Sequence, residues 1–292
     1  MIDLRDRRRW MREAGMQHPP YTLSVITDEV SPRLEDGIAF AVEEGLTTVD
    51  VRSIDAVNFL SLDRPAQERA ARQIKAAGLA VGCLATPLLK WPAPGKAAAT
   101  MGDQFGFDAG GRSTEQIYRD AFEAAALLGT RNLRIFSFLT YDGFQVEDLR
   151  EDFELLVKLA DEYDAVLHEE NEPVCNVQSV PDLVQLMRAW RHPRLKALLD
   201  IGNAWWAEKP PAEADLAAVM PFVSQMHFKD FDAGARRVVP MGEGDIPFAK
   251  LIRVCLEAAK GRTLGFSIET HVPSNPAQAT RNSLAGLRAC LG

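Results

Sequence analysis

A single-domain α/β fold, the (β/α)8 TIM barrel, is the class this 292-residue sequence predicts. Three observations carry it. Eight short apolar, strand-like runs alternate strictly with eight stretches of helical periodicity, which implies a parallel sheet with right-handed crossovers. The length suits one barrel of this kind. No GxGxxG follows the first strand, which removes the main signature of an open dinucleotide-binding sheet.

The elements follow in order. Residues 1–20 form an N-terminal extension before a barrel of residues 21–292. The extension is basic at its start (Arg5, Arg7, Arg8, Arg9) but has no apolar segment after the charges, so it does not read as a secretory signal. The first strand is YTLSVITDEV, rich in β-branched residues. The next stretch, SPRLEDGIAFAVEEG, predicts a helix with Ser31 as N-cap, Pro32 at the first helical position and Gly45 as the stop. TTVDVRS is strand two. A helix over 66–77 stops at Gly78, and LAVGCLATP is strand three. Residues 88–113 are polar and rich in Gly and Pro. They are too long for an ordinary connection and predict a functional loop over one end of the fold. A helix over 114–128 stops at Gly129 before LRIFSFL, strand four. Helices over 146–163, 181–190, 212–220 and 247–260 then lead to VLHEE, KALLDIG, QMHFK and GFSIE, and a helix over 276–290 closes the chain.

The net charge of −8 argues against a nucleic-acid partner, because phosphate binding needs a basic footprint. No apolar run reaches the roughly 18 residues of a transmembrane helix, so no membrane partner is expected. Cys83, Cys175, Cys255 and Cys290 lie far apart without a CxxC, as expected for reduced thiols in a cytoplasmic protein.

Four strands end on metal-competent side chains. In a barrel of this kind the C-terminal strand ends carry the active site. Strand periodicity puts Glu170 and Glu172 on one face with His168, and Glu169 on the other. It groups His227 with Gln225 and Lys229, and Glu269 with Ser267 and His271. The polar face should be the barrel interior, since the helix-facing side is expected to be apolar. Three carboxylates at one mouth repel each other, and a divalent cation removes that penalty. Glu170, Asp200, His227 and Glu269 are therefore the predicted metal ligands. Carboxylate oxygens with one imidazole suit Mn²⁺ best, with Mg²⁺, Co²⁺ and Zn²⁺ as alternatives. Glu172, Asn203, Lys229, His271 and Lys90 are the predicted substrate-binding residues. Glu172 and His271 can equally serve to orient ligands. Trp91, Trp205 and Trp206 are candidates to stack on a sugar ring or to pack in the core or rim. Gly242 and Gly244 are open between a phosphate site and turn glycines.

Glu170-Asn171, Asp200-Ile-Gly-Asn203, His227-Phe-Lys229-Asp230 and Ile268-Glu269-Thr270-His271 appear in this order, one per strand, with GEGDIPF at 242–248. In these motifs the chain, from about 21 to 291, resembles the xylose isomerase-like TIM barrels, specifically the sugar phosphate isomerases and epimerases that include the ketose 3-epimerases. The resemblance implies the same four ligands, with Glu170 and Glu269 doubling as catalytic acid/base groups. Members acting on free ketoses commonly have His where this chain has Asn203, and often His where it has Glu172.

The expected activity is a metal-dependent isomerisation or epimerisation of a sugar or sugar-like polyol, by α-proton abstraction through a metal-stabilised enediolate. A lyase that goes on to lose a β-hydroxyl is the alternative, with Lys229, Glu172 or His271 as acid. A non-catalytic sugar-binding barrel or partner subunit is the alternative of another class. A repair nuclease would need a multi-zinc cluster rich in His, and this chain has five His in all. Monomer and homo-oligomer are both open.

Overall fold

The computed structural model describes residues 21–291. The N-terminal extension, with its arginine cluster, lies outside them. Eight parallel strands form one sheet: β1 (Tyr21–Val25), β2 (Thr48–Val51), β3 (Ala80–Leu88), β4 (Asn132–Ile135), β5 (Val166–Glu170), β6 (Leu195–Asp200), β7 (Val223–Phe228) and β8 (Leu264–Ile268). Sequential strands are neighbours from β2 through β8, β8 pairs with β1, and a parallel bridge between Ile26 and Asp50 brings β1 to β2. The result is a nearly closed TIM barrel in a single domain.

Helices cover its outside: α1 (Leu34–Glu43), α2 (Arg64–Ala76), α3 (Thr114–Leu128), α4 (Arg150–Glu162), α5 (Val180–Ala189), α6 (Ile201–Trp206), α7 (Glu213–Val219), α8 (Phe248–Ala259) and α9 (Pro276–Leu291). The signals read from the sequence mostly mark their ends. Ser113 accepts from the Gln116 N–H at the start of α3, and Gly129 ends that helix at φ +73°.

Two local readings are corrected. Ser31 does not cap α1. The helix starts three residues later, after Arg33, while the Ser31 hydroxyl donates to Asp36 and accepts from the Arg33 N–H. The helix-facing side of the strands is also not wholly apolar. Glu169 is fully buried there, and burial pushes its carboxyl well above the usual carboxylate range.

The barrel interior is polar at two levels. Near the N-terminal strand ends, Asp50 accepts from Ser24, Gln225 and the Cys83 N–H. Beside it, the His168 Nε2–H donates to Asn132 Oδ1 at 3.0 Å, and the ring Nδ1 accepts from the Ser224 hydroxyl. Burial holds this imidazole down at about 3, so it stays neutral. The second level is at the opposite, C-terminal end.

Candidate metal centre and substrate pocket

Each strand delivers its polar residue at the point where it stops. Glu170 and Asp200 are the last residues of β5 and β6. His227 is the penultimate residue of β7, and Glu269 follows β8. Asp200 also caps α6, which the sequence reading missed, by accepting from the Asn203 N–H at 2.7 Å. One candidate ligand atom each from Glu170, Asp200, His227 and Glu269 lie within 4.8 Å of one another, and all four side chains are buried. His227 Nδ1 stands 3.1 Å from Glu170 Oε1 and 3.2 Å from Glu269 Oε2. Its Nε2 has no hydrogen-bond partner.

Three fixed cations surround this cluster. Arg134, from β4 and only 1% exposed, places NH1 3.1 Å from Glu170 Oε2 and 3.2 Å from Glu269 Oε1. Lys229 Nζ lies 2.7 Å from Asp200 Oδ2 and 2.9 Å from Glu269 Oε2. Arg52, just after β2, reaches Glu269 Oε1 at 2.9 Å, Glu29 at 2.5 Å and Asp28 at 2.9 Å. Glu269 Oε1 thus faces two of these cations, Arg52 and Arg134, and its Oε2 faces Lys229. Neither arginine, nor Glu29, was foreseen from the sequence.

The electrostatics follow from this packing. Burial opposes ionisation of Glu269, but Lys229, His271 and His227 hold its carboxyl well below the usual range. Glu170 is lowered in the same way, against burial, by His227 and Arg134. Burial raises Asp200 to about 6, with Glu170 and Glu269 adding to the rise and Lys229 opposing it. Burial alone would push His227 down, yet the flanking Glu170 and Glu269 raise it to about 10.

A divalent cation fits the donor set. The acids of the network are Asp28, Glu29, Glu170, Asp200 and Glu269, and its fixed cations are Arg52, Arg134 and Lys229. Before the imidazoles are counted, two negative charges are left over, which is the charge one divalent ion supplies; His227, raised to about 10 without an ion, would give up its proton to bind one. Two glutamates, an aspartate and an imidazole are also the ligands such an ion takes. Glu29, Glu269 and His271 form a second acidic group, but Arg52 already sits against two of its members.

A cavity of about 360 Å³ opens beside the cluster. All five predicted substrate-binding residues line it: Lys90, Glu172, Asn203, Lys229 and His271. Lys90 Nζ donates to Glu172 at 3.1 Å. The Asn203 amide donates to the Asn171 carbonyl at 2.9 Å, which ties β5 to α6. His271, at φ +51°, directs its Nε2 toward Glu269 and Glu29 at 3.4 and 3.5 Å.

The long loop after β3 covers this mouth. Met101, Gly102 and Asp103 line it, and the Phe105 ring lies over the Arg52 guanidinium at 3.9 Å. Of the three tryptophans, Trp206 stands at the rim, 46% exposed. Trp91 packs against Phe107 and Tyr118, and Trp205 is partly buried against the core.

The sequence profile of the xylose isomerase-like TIM barrels matches residues 38–290. No curated protein matches the chain in sequence. Among solved structures, the probable 3-DHS dehydratase AsbF, involved in petrobactin synthesis in Bacillus anthracis, superposes with a TM-score of 0.68 at 16% identity over 90% of this chain and 98% of its own. The 3-keto-D-glucoside 4-epimerase YcjR from E. coli gives 0.67 at 14% identity, over 94% of this chain and 100% of its own. The IOLI protein, whose structure has a binding zinc atom, gives 0.67 at 13% identity over 92% and 98%. At these identities the likeness to the solved structures is one of fold.

Proposed function

The chain belongs to the xylose isomerase-like TIM barrel family, and from that premise we propose that it is a divalent-metal-dependent isomerase or epimerase of a sugar or sugar-like polyol. The observation that carries the reading is the convergence of Glu170, Asp200, His227 and Glu269 within 4.8 Å beside a cavity of small-molecule size. These four residues would hold the ion, with Mn²⁺ as the first candidate. Once bound, it would act as a Lewis acid on a carbonyl and its neighbouring hydroxyl and so ease loss of the α-proton.

The chain's own residues supply the rest. Glu170 and Glu269 come from β5 and β8, on different sides of the mouth, and we assign them the proton transfers. One removes the α-proton and the other returns a proton to the neighbouring carbon or to the opposite face. Arg134 touches both, and the neighbouring cations keep both ionised, Glu170 through His227 and Arg134 and Glu269 through Lys229, His271 and His227, so each starts as a base. Lys90, Glu172, Asn203, Lys229 and His271 bind and orient the hydroxyls, and the loop carrying Phe105 excludes water. A soluble cytoplasmic setting and a barrel beginning at residue 21 after a separate extension belong to the same reading. No helix among the described residues is long and apolar enough to cross a membrane.

A second reading is a lyase that removes a β-hydroxyl after the same proton abstraction. Lys229 supports it, because its ammonium lies at the pocket wall within 3 Å of both Asp200 and Glu269, where it could hydrogen-bond a departing hydroxyl and stabilise the charge that develops on it. One experiment separates the readings. The Mn²⁺-loaded protein is incubated in D₂O with a panel of ketoses and keto-polyols and followed by NMR. Deuterium entry at the α-carbon with an isomeric product supports the first. Loss of water with a new ultraviolet chromophore supports the second. Absence of metal binding in a parallel metal titration sinks both.

A further inference from the structure

Barrels of this kind fill their interior with layers of interlocking side chains. Here a second cavity, of about 270 Å³, opens at the N-terminal strand ends, opposite the metal cluster. On the same measure one water needs only about 10–15 Å³. Two glycines that line it make room. A Cβ at Gly82 would stand 2.6 Å from Asp50 Oδ1, so glycine leaves that carboxylate its seat. At Gly265 nothing forbids a side chain. The nearest atom to a Cβ there would be Gln225 Cγ at 3.5 Å, an ordinary contact, and a larger residue would extend into the cavity.

The neutral groups of the wall bond to one another. His168 spans Asn132 and Ser224, and the Asn132 amide donates to the Gly82 carbonyl at 2.7 Å. The two charged groups of the wall are not paired. Asp50, fully buried, accepts three hydrogen bonds, all from neutral donors: Ser24, Gln225 and the Cys83 N–H. Burial raises its carboxyl above the ordinary value, and the Ser24 and Cys83 bonds oppose the rise. Lys196 shares the inward face of β6 with Asp200. It is half-buried, and its ammonium makes no ion pair or hydrogen bond with any described residue. The lysines of the other mouth are both paired, Lys90 to Glu172 and Lys229 to Asp200 and Glu269. Strands β2 and β6 lie four apart in the ring of eight, so Asp50 and Lys196 stand on opposite walls with the cavity between them. A charge held away from water is costly until something pairs with it.

We infer that this cavity binds a small zwitterion, an α-amino acid with a short side chain, with its ammonium on Asp50 and its carboxylate on Lys196. A lone cation would satisfy Asp50 but face Lys196 across the cavity, and a lone anion would do the reverse. A molecule with both charges a few bonds apart matches both walls and brings no net charge. Neither Asp50 nor Lys196 is among the four candidate metal ligands, so this inference stands apart from the proposed function.

The test uses the full-length protein in EDTA, so that no amino acid binds through an ion. L-alanine is titrated calorimetrically beside ethylamine, which lacks its carboxylate, and propionate, which lacks its ammonium, all at matched ionic strength. L-alanine should bind saturably and at least tenfold more tightly than either analogue. Lys196→Gln, at the half-buried rim, should weaken L-alanine at least tenfold, as should Asp50→Asn. Gly265→Val, which fills the cavity, should abolish binding. Failure of L-alanine, glycine and L-serine all to bind wild type at tens of millimolar overturns the inference. So does L-alanine binding no tighter than ethylamine or propionate, or unchanged affinity in Lys196→Gln. If Asp50→Asn or Gly265→Val does not fold, wild type and Lys196→Gln decide alone.

Discussion

Replacing Arg134 by Met tests whether the acidic cluster is a metal centre or a self-contained ion-pair network. Arg134 is 1% exposed, and its NH1 contacts both Glu170 and Glu269 while Nε and NH2 face the Thr86 and Ala85 carbonyls. Met keeps much of the volume and removes the charge. Two buried carboxylates then lose a shared partner. Removing one member of a buried pair costs about 3–5 kcal/mol, and a unit charge about 4 Å away at an effective dielectric constant of 20 gives a similar figure, about 4 kcal/mol. A chain of this length shifts its melting temperature by about 1.6–2 °C per kcal/mol. In EDTA, Arg134→Met should therefore melt roughly 5–10 °C below wild type. With saturating Mn²⁺ the gap should narrow to less than half, because the ion restores positive charge between the same oxygens. Scanning calorimetry of both proteins in both buffers gives the four numbers needed. An equal loss with and without Mn²⁺ would show that Arg134 and the ion do not share the carboxylates and would refute the reasoning.

Three further outcomes follow from the same geometry. Glu170→Gln should lower α-proton exchange in D₂O by about 10²–10⁴-fold with the metal-loaded fold retained by circular dichroism; unchanged exchange would leave Glu170 a ligand only. Gly202→Ala would put a Cβ 2.5 Å from Lys229 Cγ and 2.7 Å from the Lys229 carbonyl, so it should displace Lys229 from Asp200 and cost about 1–3 kcal/mol in urea unfolding. His168 is held near 3 in the folded protein against an ordinary value of 6.5, so between those pH values the unfolded chain binds the extra proton; stability should fall with acidification across that window by about 1.4 kcal/mol per pH unit from this group, and His168→Gln should flatten the slope of unfolding free energy against pH by that amount.

How much of this was legible in the sequence differs between fold and site. The barrel was, because each strand is an apolar run with a clear stop and because Gly45, Gly78, Gly129 and Gly261 mark helix ends at positive φ. Alternation along β5, β7 and β8 also placed Glu170, His227 and Glu269 inside. The cations were not foreseen. Arg52 and Glu269 lie 217 residues apart and meet only because the first and last strands close the ring. The turn that carries Glu29 read as the end of a strand, so its carboxylate was never weighed as a partner.

Arg134 is the more instructive miss, since a local signal existed. It stands between Leu133 and Ile135, which both face the helix layer, so strand alternation directs it inward just as it does His168, its register partner on β5. A charge on that face is costly unless carboxylates meet it. The carboxylates already inferred at the mouth were within reach of an arginine on β4. A three-carboxylate site and an inward arginine on a neighbouring strand are thus one inference. The cluster carries built-in positive charge, and a metal adds to the Arg134 and Lys229 cations where it would otherwise have to neutralise three bare acids. On the proposed function, affinity for an ion would follow from that difference, and substitutions of Arg134 and Lys229 should tune it without touching a proposed ligand.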